Sequence, residues 1–236
     1  MIVLAIETAT RDGSVALARD GTVLASARGD GGLPHAARLP GDALALLGPA
    51  GLTVHDVDVF AVCLGPGAFT GLRVGIAAAQ GLSFATARPI VGVSALDALG
   101  VAGLEGRDGA AVAGVWMDGA RKEVFAARYV AAPNHDLGVR SLGDPVSAPP
   151  AEVVAEWAGD DQPVSRWVGD GVLRYRHVLG PVEVLEPTPL LAPLVARLGT
   201  LAALAGHGGA PHALRPIYVR PPDVELTRDR KVRETR

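Results

Sequence analysis

An α/β fold built as two similar halves is the class the sequence predicts, on three observations. Two tight-turn dipeptides, Asp20-Gly21 and Asp118-Gly119, each sit between runs that read as paired strands, one at the head of each half. Between them, short apolar runs alternate with longer segments of helical period. At 236 residues, 49% hydrophobic and 20% charged, the chain has the size and composition of a folded protein with one large core or two smaller ones.

Taken in order, residues 2–6 read as a buried strand, and Glu7-Thr8-Ala9-Thr10 as the polar turn after it. Residues 14–18 and 22–27 alternate around Asp20-Gly21, so the chain opens as three antiparallel strands. The glycine-rich link 29–32 leads to a helix within 34–47 that puts Leu39, Ala43, Leu46 and Leu47 on one face. Pro40-Gly41 marks either a kink in it or its true start. Residues 57–64 (VDVFAVCL) form a nearly continuous apolar run, as in a strand covered on both faces. That run ends at Gly65-Pro66-Gly67, and Thr70 is the candidate N-cap of the helix that follows, to about Ala87.

Residues 89–93 are a further short strand, and Ser94 caps a helix from Ala95 to about Ala102. The stretch 103–109 is a candidate boundary. Beyond it, 110–117 and 123–130 flank Asp118-Gly119 as a second hairpin, 131–150 reads as loop, 151–158 as a short helix and 164–168 as a strand. An amphipathic helix starts near Leu191 within 187–205. This order is the layout of the actin-like, sugar-kinase-type (ribonuclease H-like) ATPase architecture. The expected units are an N-terminal subdomain 1–103, a smaller and reduced subdomain 104–190, a segment 191–222 packing back on the first half, and a basic tail 223–236.

The net charge of −3 argues against nucleic-acid binding over the whole surface. Residues 227–236 carry five basic and two acidic side chains, net +3, so the remainder carries −6; a solvated tail is expected there, with RNA or partner contact as the alternative. The lone cysteine, Cys63, falls inside a buried strand and reads as an inert thiol; no intrachain disulfide can form, which fits a reducing compartment. The N-terminus reads as a strand with no basic region of a signal peptide, and no apolar run reaches the roughly 20 residues of a membrane span, so a cytoplasmic protein is expected.

The most distinctive stretch is 64–87, LGPGAFTGLRVGIAAAQGLSFATA. A dinucleotide-binding GxGxxG would need glycine at 70, where the chain has Thr70, and GxxxxGK[ST] occurs nowhere. The helix after the turn carries more information. Gly67, Gly71, Gly75 and Ala79 recur every four residues and form a bare stripe. A glycine inside a helix costs about 1 kcal/mol relative to alanine, so another backbone is expected to approach the stripe. Leu72, Ile76, Leu82 and Phe84 flank it, which predicts cover on both sides, one by the chain's own sheet and one by a partner; a central helix of a single domain is the alternative.

Catalytic signatures are sparse: GxSxG, HExxH and CxxC are missing, and His207 and His212 lie five apart, off the one-face spacing of helical metal ligands. Glu7, Thr8 and Thr10 stand where an actin-like ATPase places its first phosphate loop. That loop opens with aspartate and contains glycine, whereas this chain has Glu7 and Ala9, so nucleotide binding there is kept only as an alternative.

These segments together resemble the bacterial TsaB (YeaZ) family over nearly the whole chain. The carriers are LAIETAT and SVAL, AVCLGPGAFTGLRVGIAAAQGL, PIVGVSALDAL, the DGARKEVF hairpin and PIYVRPPD, the middle one being the most specific. Ala36 after His35, the position of Pro40, and Gly119-Ala120 before Arg121 depart from the family pattern. The resemblance implies a non-catalytic scaffold that partners TsaD in a complex moving threonylcarbamoyl from its AMP ester to the adenosine beside the anticodon of ANN-decoding tRNAs. TsaD would carry the metal, and TsaE would supply ATPase activity. The chain would have no cofactor of its own, with ATP or ADP allowed at the complex interface. The TsaD HxxxH ligands, laid on VGVSALDALG, fall on Ala95 and Leu99, which cannot coordinate a metal.

By the same resemblance the first two helices hold TsaD, through His35, Leu39, Ala43, Leu46, Phe69, Gly71, Leu72, Gly75, Ile76, Ala79 and Leu82, and a similar surface pairs two copies without it. A glycoprotease-like peptidase and an actin-like nucleotide-dependent kinase are the alternatives from other classes.

Overall fold

The computed structural model describes residues 1–107, 109–186 and 188–220. The basic tail therefore lies outside the described residues, and the last expected segment is described only as far as Arg220.

Strand β1 (Ile2–Glu7) is buried at every position, because neighbouring strands flank it and helices cover both faces of its sheet. β2 (Ser14–Arg19) pairs with it antiparallel in unbroken register, from Ile2 opposite Arg19 to Glu7 opposite Ser14. The turn to β3 (Thr22–Arg28) places Asp20 at φ 49° and Gly21 at φ 80°, the left-handed pair of a two-residue hairpin. Alternating exposure along β3 marks it as the sheet edge. Helix α1 (His35–Ala45) follows, then β4 (Val59–Gly65), α2 (Phe69–Thr86), β5 (Ile90–Ser94) and α3 (Ala95–Leu104). β4 lies parallel to β1 and β5 parallel to β4, giving the order β3-β2-β1-β4-β5.

In the second half, β6 (Val112–Asp118) and β7 (Val124–Ala131) form the expected antiparallel hairpin. The stretch 131–150, expected to be loop, contains β8 (Val139–Ser141) and β9 (Val146–Ala148), both paired to β7. Strands of three residues carry too little periodicity to show in sequence. Helix α4 (Pro150–Trp157) precedes β10 (Arg166–Val168), which lies parallel to β6. Two further short helices, α5 (Asp170–Arg174) and α6 (Arg176–Leu179), were not expected. The sheet order is β10-β6-β7-β8. Trp116, Trp157 and Trp167 pack as one group in this half, with centroid separations of 4.9 Å and 5.8 Å.

Helix α7 (Leu191–Leu204) follows the second half in sequence yet lies on the first sheet, where a Cβ added at Gly199 would stand 2.5 Å from the Ala61 Cβ. A single apolar cluster runs from the first sheet through α3 and α7 to the second sheet, and a separate one fills the space under α1 and α2. Among the described residues, no helix is long and apolar enough to cross a membrane.

Two local expectations are corrected. α1 begins at His35 and runs through Pro40, so Pro40 is not its start; the exposed ring gives up one intrahelical bond without ending the helix. Thr70 is not an N-cap: α2 starts at Phe69 behind Ala68, and no side chain caps it. The Ala68 amide donates to the Ala9 carbonyl at 3.2 Å, and the helix starts about two residues before the position a Thr70 cap would give. Ser94 caps α3 as expected, accepting from the Asp97 amide at 3.2 Å.

Candidate functional site

The bare stripe of α2 is occupied by its own chain. A Cβ at Gly67 would lie 2.5 Å from the Ala9 carbonyl oxygen, one at Gly71 2.4 Å from that of Thr8, and one at Gly75 2.1 Å from Thr8 Oγ1. The glycines therefore let α2 press against the turn that ends β1, and the backbone expected to approach them is residues 8 and 9 rather than a partner. Leu39, Ala43, Leu72, Ile76 and Ala79 are likewise buried inside the chain. Within the chain itself, these five together with Gly71 and Gly75 hold α1 and α2 to the first sheet. His35, Leu46, Phe69 and Leu82 keep part of their surface exposed.

A different stripe of α2 faces outward. Arg73, Ala77, Gly81 and Ala85 are exposed at four-residue spacing, and a Cβ added at Gly81 would meet nothing within 4 Å. Beside them Phe84 stands 85% exposed, the most open large apolar side chain of the described residues. Leu44 on α1 and Leu33 before it add further exposed apolar surface. The sequence contained Gly81 at a spacing as readable as that of Gly75. Only packing separates the two.

The second feature is a cleft of about 650 Å³ between the halves. Thr10 and Arg11 of the turn between β1 and β2, the start of α2, the turn 118–121 of the second hairpin, Asp170 and residues 217–220 line it. Of the three residues considered for a phosphate loop, Thr10 alone lines this cleft. Glu7 and Thr8 are buried, and the Glu7 carboxylate is already engaged by the Thr10 amide (2.7 Å), the Thr10 hydroxyl (3.1 Å) and the Ser14 hydroxyl (2.8 Å). Burial pushes the Glu7 carboxyl above its ordinary value, although these hydrogen bonds oppose the rise. Ser14 Oγ in turn accepts from the Ala192 amide at 3.1 Å, so Glu7 braces the start of α7. The Glu7 carboxylate is thus committed to the chain's own turn, while the buried Thr8 hydroxyl has no hydrogen-bond partner among the described residues.

Across the cleft, the second hairpin turn is unusual. Ala120, Arg121 and Lys122 are all left-handed, at φ 57°, 51° and 65°, a conformation that costs a non-glycine residue about 1–2 kcal/mol. Three contacts hold it: the Gly119 amide to the Glu123 carbonyl at 3.0 Å, the Glu123 amide to the Ala120 carbonyl at 2.8 Å, and the Ala120 amide to Asp118 Oδ1 at 3.1 Å. Asp170 accepts from the amides of Asp118 (3.0 Å) and Gly171 (2.9 Å). Burial raises its pKa, and the neighbouring Asp118 charge adds to the rise against those amide bonds. At the first-half rim, His35 Nδ1 lies 3.0 Å from the Arg38 guanidinium; burial, then that charge, lowers its pKa. Arg38 also bonds the Asp12 carbonyl and pairs with Asp42.

Ala95 and Leu99 are both buried in the shared apolar cluster, where they pack α3. Among the described residues no group of three or more His, Cys, Asp or Glu side chains is placed to hold a metal ion, and His207 and His212 are exposed. Burial drives the Cys63 thiol far up, which removes it as a nucleophile.

Comparison with known proteins gives four results. The family model described as TsaD, tRNA N6-adenosine threonylcarbamoyltransferase, matches residues 32–139. The solved structure of YeaZ from Pseudomonas aeruginosa superposes with a TM-score of 0.75 at 30% identity, covering 92% of this chain and 99% of that one. Among curated sequences, an uncharacterised Mycobacterium bovis protein is 34% identical over 94% of this chain and 93% of its own length. The tRNA threonylcarbamoyladenosine biosynthesis protein TsaB of Escherichia coli is 37% identical over 55% of each chain.

Proposed function

Because the chain belongs to the TsaB (YeaZ) family, we propose that it is a non-catalytic subunit of tRNA threonylcarbamoyladenosine biosynthesis that docks a TsaD-type partner through α1 and α2. The observation that carries this reading is the outer face of α2, where Phe84 projects beside Ala77, Gly81 and Ala85. A glycine inside a helix costs about 1 kcal/mol relative to alanine, and no neighbouring group of this chain requires one at 81. A partner helix approaching that stripe would require it. Burying a phenylalanine side chain contributes about 1.5–3 kcal/mol, so Phe84 supplies docking energy that the isolated chain leaves unused.

Catalysis falls to the partner in this reading. Ala95 and Leu99 pack where TsaD would hold its metal, so the metal and the transfer of threonylcarbamoyl to tRNA belong to that subunit. ATP or ADP at the interface would rest chiefly on partner residues, since Glu7 and Thr8 are turned inward. TsaE joins as the ATPase, the same α2 face pairs two copies when TsaD is missing, and the complex works in the cytoplasm, where tRNA is modified.

The test is co-expression with the cognate TsaD. Gly81→Leu and Phe84→Asp alter only solvent-facing positions, so both variants should fold as the parent does and lose co-purification. Retention of the partner at full stoichiometry by both would overturn the reading. Gly75→Leu is unsuitable, because it would break the chain's own packing against Thr8.

A further inference from the structure

The C-terminal segment of the described chain returns along the first half. Gly209 exchanges backbone hydrogen bonds with Ile90, Gln80 Nε2 donates to the Pro211 carbonyl at 2.6 Å, and the Ile217 amide donates to the Leu64 carbonyl at 2.8 Å. Tyr218 then stacks on Phe69 with centroids 5.2 Å apart and accepts from Arg73 Nε at 3.2 Å, while the Arg73 guanidinium lies 3.9 Å over the Phe69 ring. Two residues on, the segment reaches the other half. Arg220 donates to Glu123 Oε2 at 2.6 Å and to the Gly119 carbonyl at 3.1 Å, with its guanidinium 5.8 Å from the Phe125 ring.

We propose that residues 217–220 are a latch across the inter-half cleft, fastened to the first half at Leu64 and Phe69 and to the second at Gly119 and Glu123, and that this fastening sets how far the cleft opens. The halves are joined at two places, and these are built differently. At one, α3 and α7 are buried in an apolar cluster shared with both sheets, a connection that changes only as a whole. At the other, the latch relies on a few polar contacts at partly exposed groups: the side chains of Arg220 and Glu123 are 21% and 29% exposed, and Tyr218 is 37% exposed. Water can replace such contacts, so this join is the one that yields. The hairpin turn it grips holds the left-handed residues 120–122, which lines the cleft with a loop whose shape depends on its bonds.

The latch belongs to the chain alone and does not depend on any partner. It is tested by the distance between spin labels on cysteines introduced at Gly41 and Gly159, one on each half. Both positions are exposed and leave open space for a side chain, while buried Cys63 stays unlabelled. The parent should give one narrow distance population. Arg220→Ala and Glu123→Gln should each add a second population, and Arg220→Glu combined with Glu123→Arg should narrow the distribution again. Should Arg220→Ala fail to fold, as judged by emission from the tryptophan group in the second half, Glu123→Gln and Tyr218→Ala give the same comparison. Distributions that overlay on the parent's in the folded variants would overturn the latch, as would a parent already spread over populations that no variant shifts.

Discussion

At Gly75 the chain leaves no room for a side chain, since a Cβ there would stand 2.1 Å from Thr8 Oγ1, whereas at Gly81 it would meet nothing within 4 Å. The two glycines occupy one helix and should respond oppositely to the same change. Gly75→Ala overpacks the contact and is expected to destabilise the chain by about 1–3 kcal/mol. Gly81→Ala only removes conformational freedom and should stabilise it by about 0.5–1 kcal/mol. Urea unfolding of both variants measures the two signs, and a shared sign would refute the assignment of these glycines. Glu7 gives a second residue-scale expectation. Its carboxyl is raised above the ordinary 4.5 by burial, so the folded state holds the proton more tightly than the unfolded state. That contribution is present below about 4.5 and is lost as pH rises through the native pKa. Stability of the parent relative to Glu7→Gln should therefore fall as pH rises from there. Parallel stability curves would show that Glu7 does not titrate as its burial implies.

Helix α2 is the element in which structure and proposed function meet. Its inner stripe, Gly71, Gly75 and Ala79, fits it to the β1–β2 turn and the sheet; its outer stripe, Ala77, Gly81 and Ala85 with Phe84, is left to solvent. Phe84 is 85% exposed, so Phe84→Ser should leave the unfolding free energy of the isolated chain within about 0.5 kcal/mol of the parent. If Phe84 is buried on docking, its loss removes about 1.5–3 kcal/mol, a roughly 10- to 150-fold weaker association with a TsaD-type partner by titration calorimetry. Equal affinities would remove Phe84 from the interface. The same helix shows why periodicity misleads when read alone. Residues four apart share a face whichever way that face points, and α2 carries small residues at such spacing on two faces.

Over the whole molecule, the halves are bound by links between residues far apart in sequence. Ser14 Oγ donates to Glu7 and accepts from the Ala192 amide, which ties the first hairpin to α7 after the chain has passed through the second half. Ser14→Ala leaves that buried amide without its acceptor and should cost about 1–3 kcal/mol in urea unfolding. Its effect should be non-additive with Glu7→Gln, because the three groups form one chain of hydrogen bonds. Additive losses would mean that the two contacts act separately. On the opposite side, residues 217–220 bring Tyr218 onto Phe69 and Arg220 onto Glu123, two polar and aromatic contacts that no local pattern in PIYVRPPD announces.

The sequence by itself determined the order of strands and helices in the first half, the second hairpin, the start of α7 and the Ser94 cap, because these follow from the period of apolar residues and from local turn chemistry. It also placed an alanine and a leucine at positions 95 and 99, which no tertiary arrangement could turn into metal ligands. Tertiary structure alone decided that Gly71 and Gly75 face Thr8, that Glu7 and Thr8 are buried, that Gly81 is open, and that Arg220 crosses to Glu123. Each of these depends on what packs against a residue from a distant part of the chain. Spacing along one helix or loop fixes which side chains stand together, and only the packed fold fixes what stands opposite them.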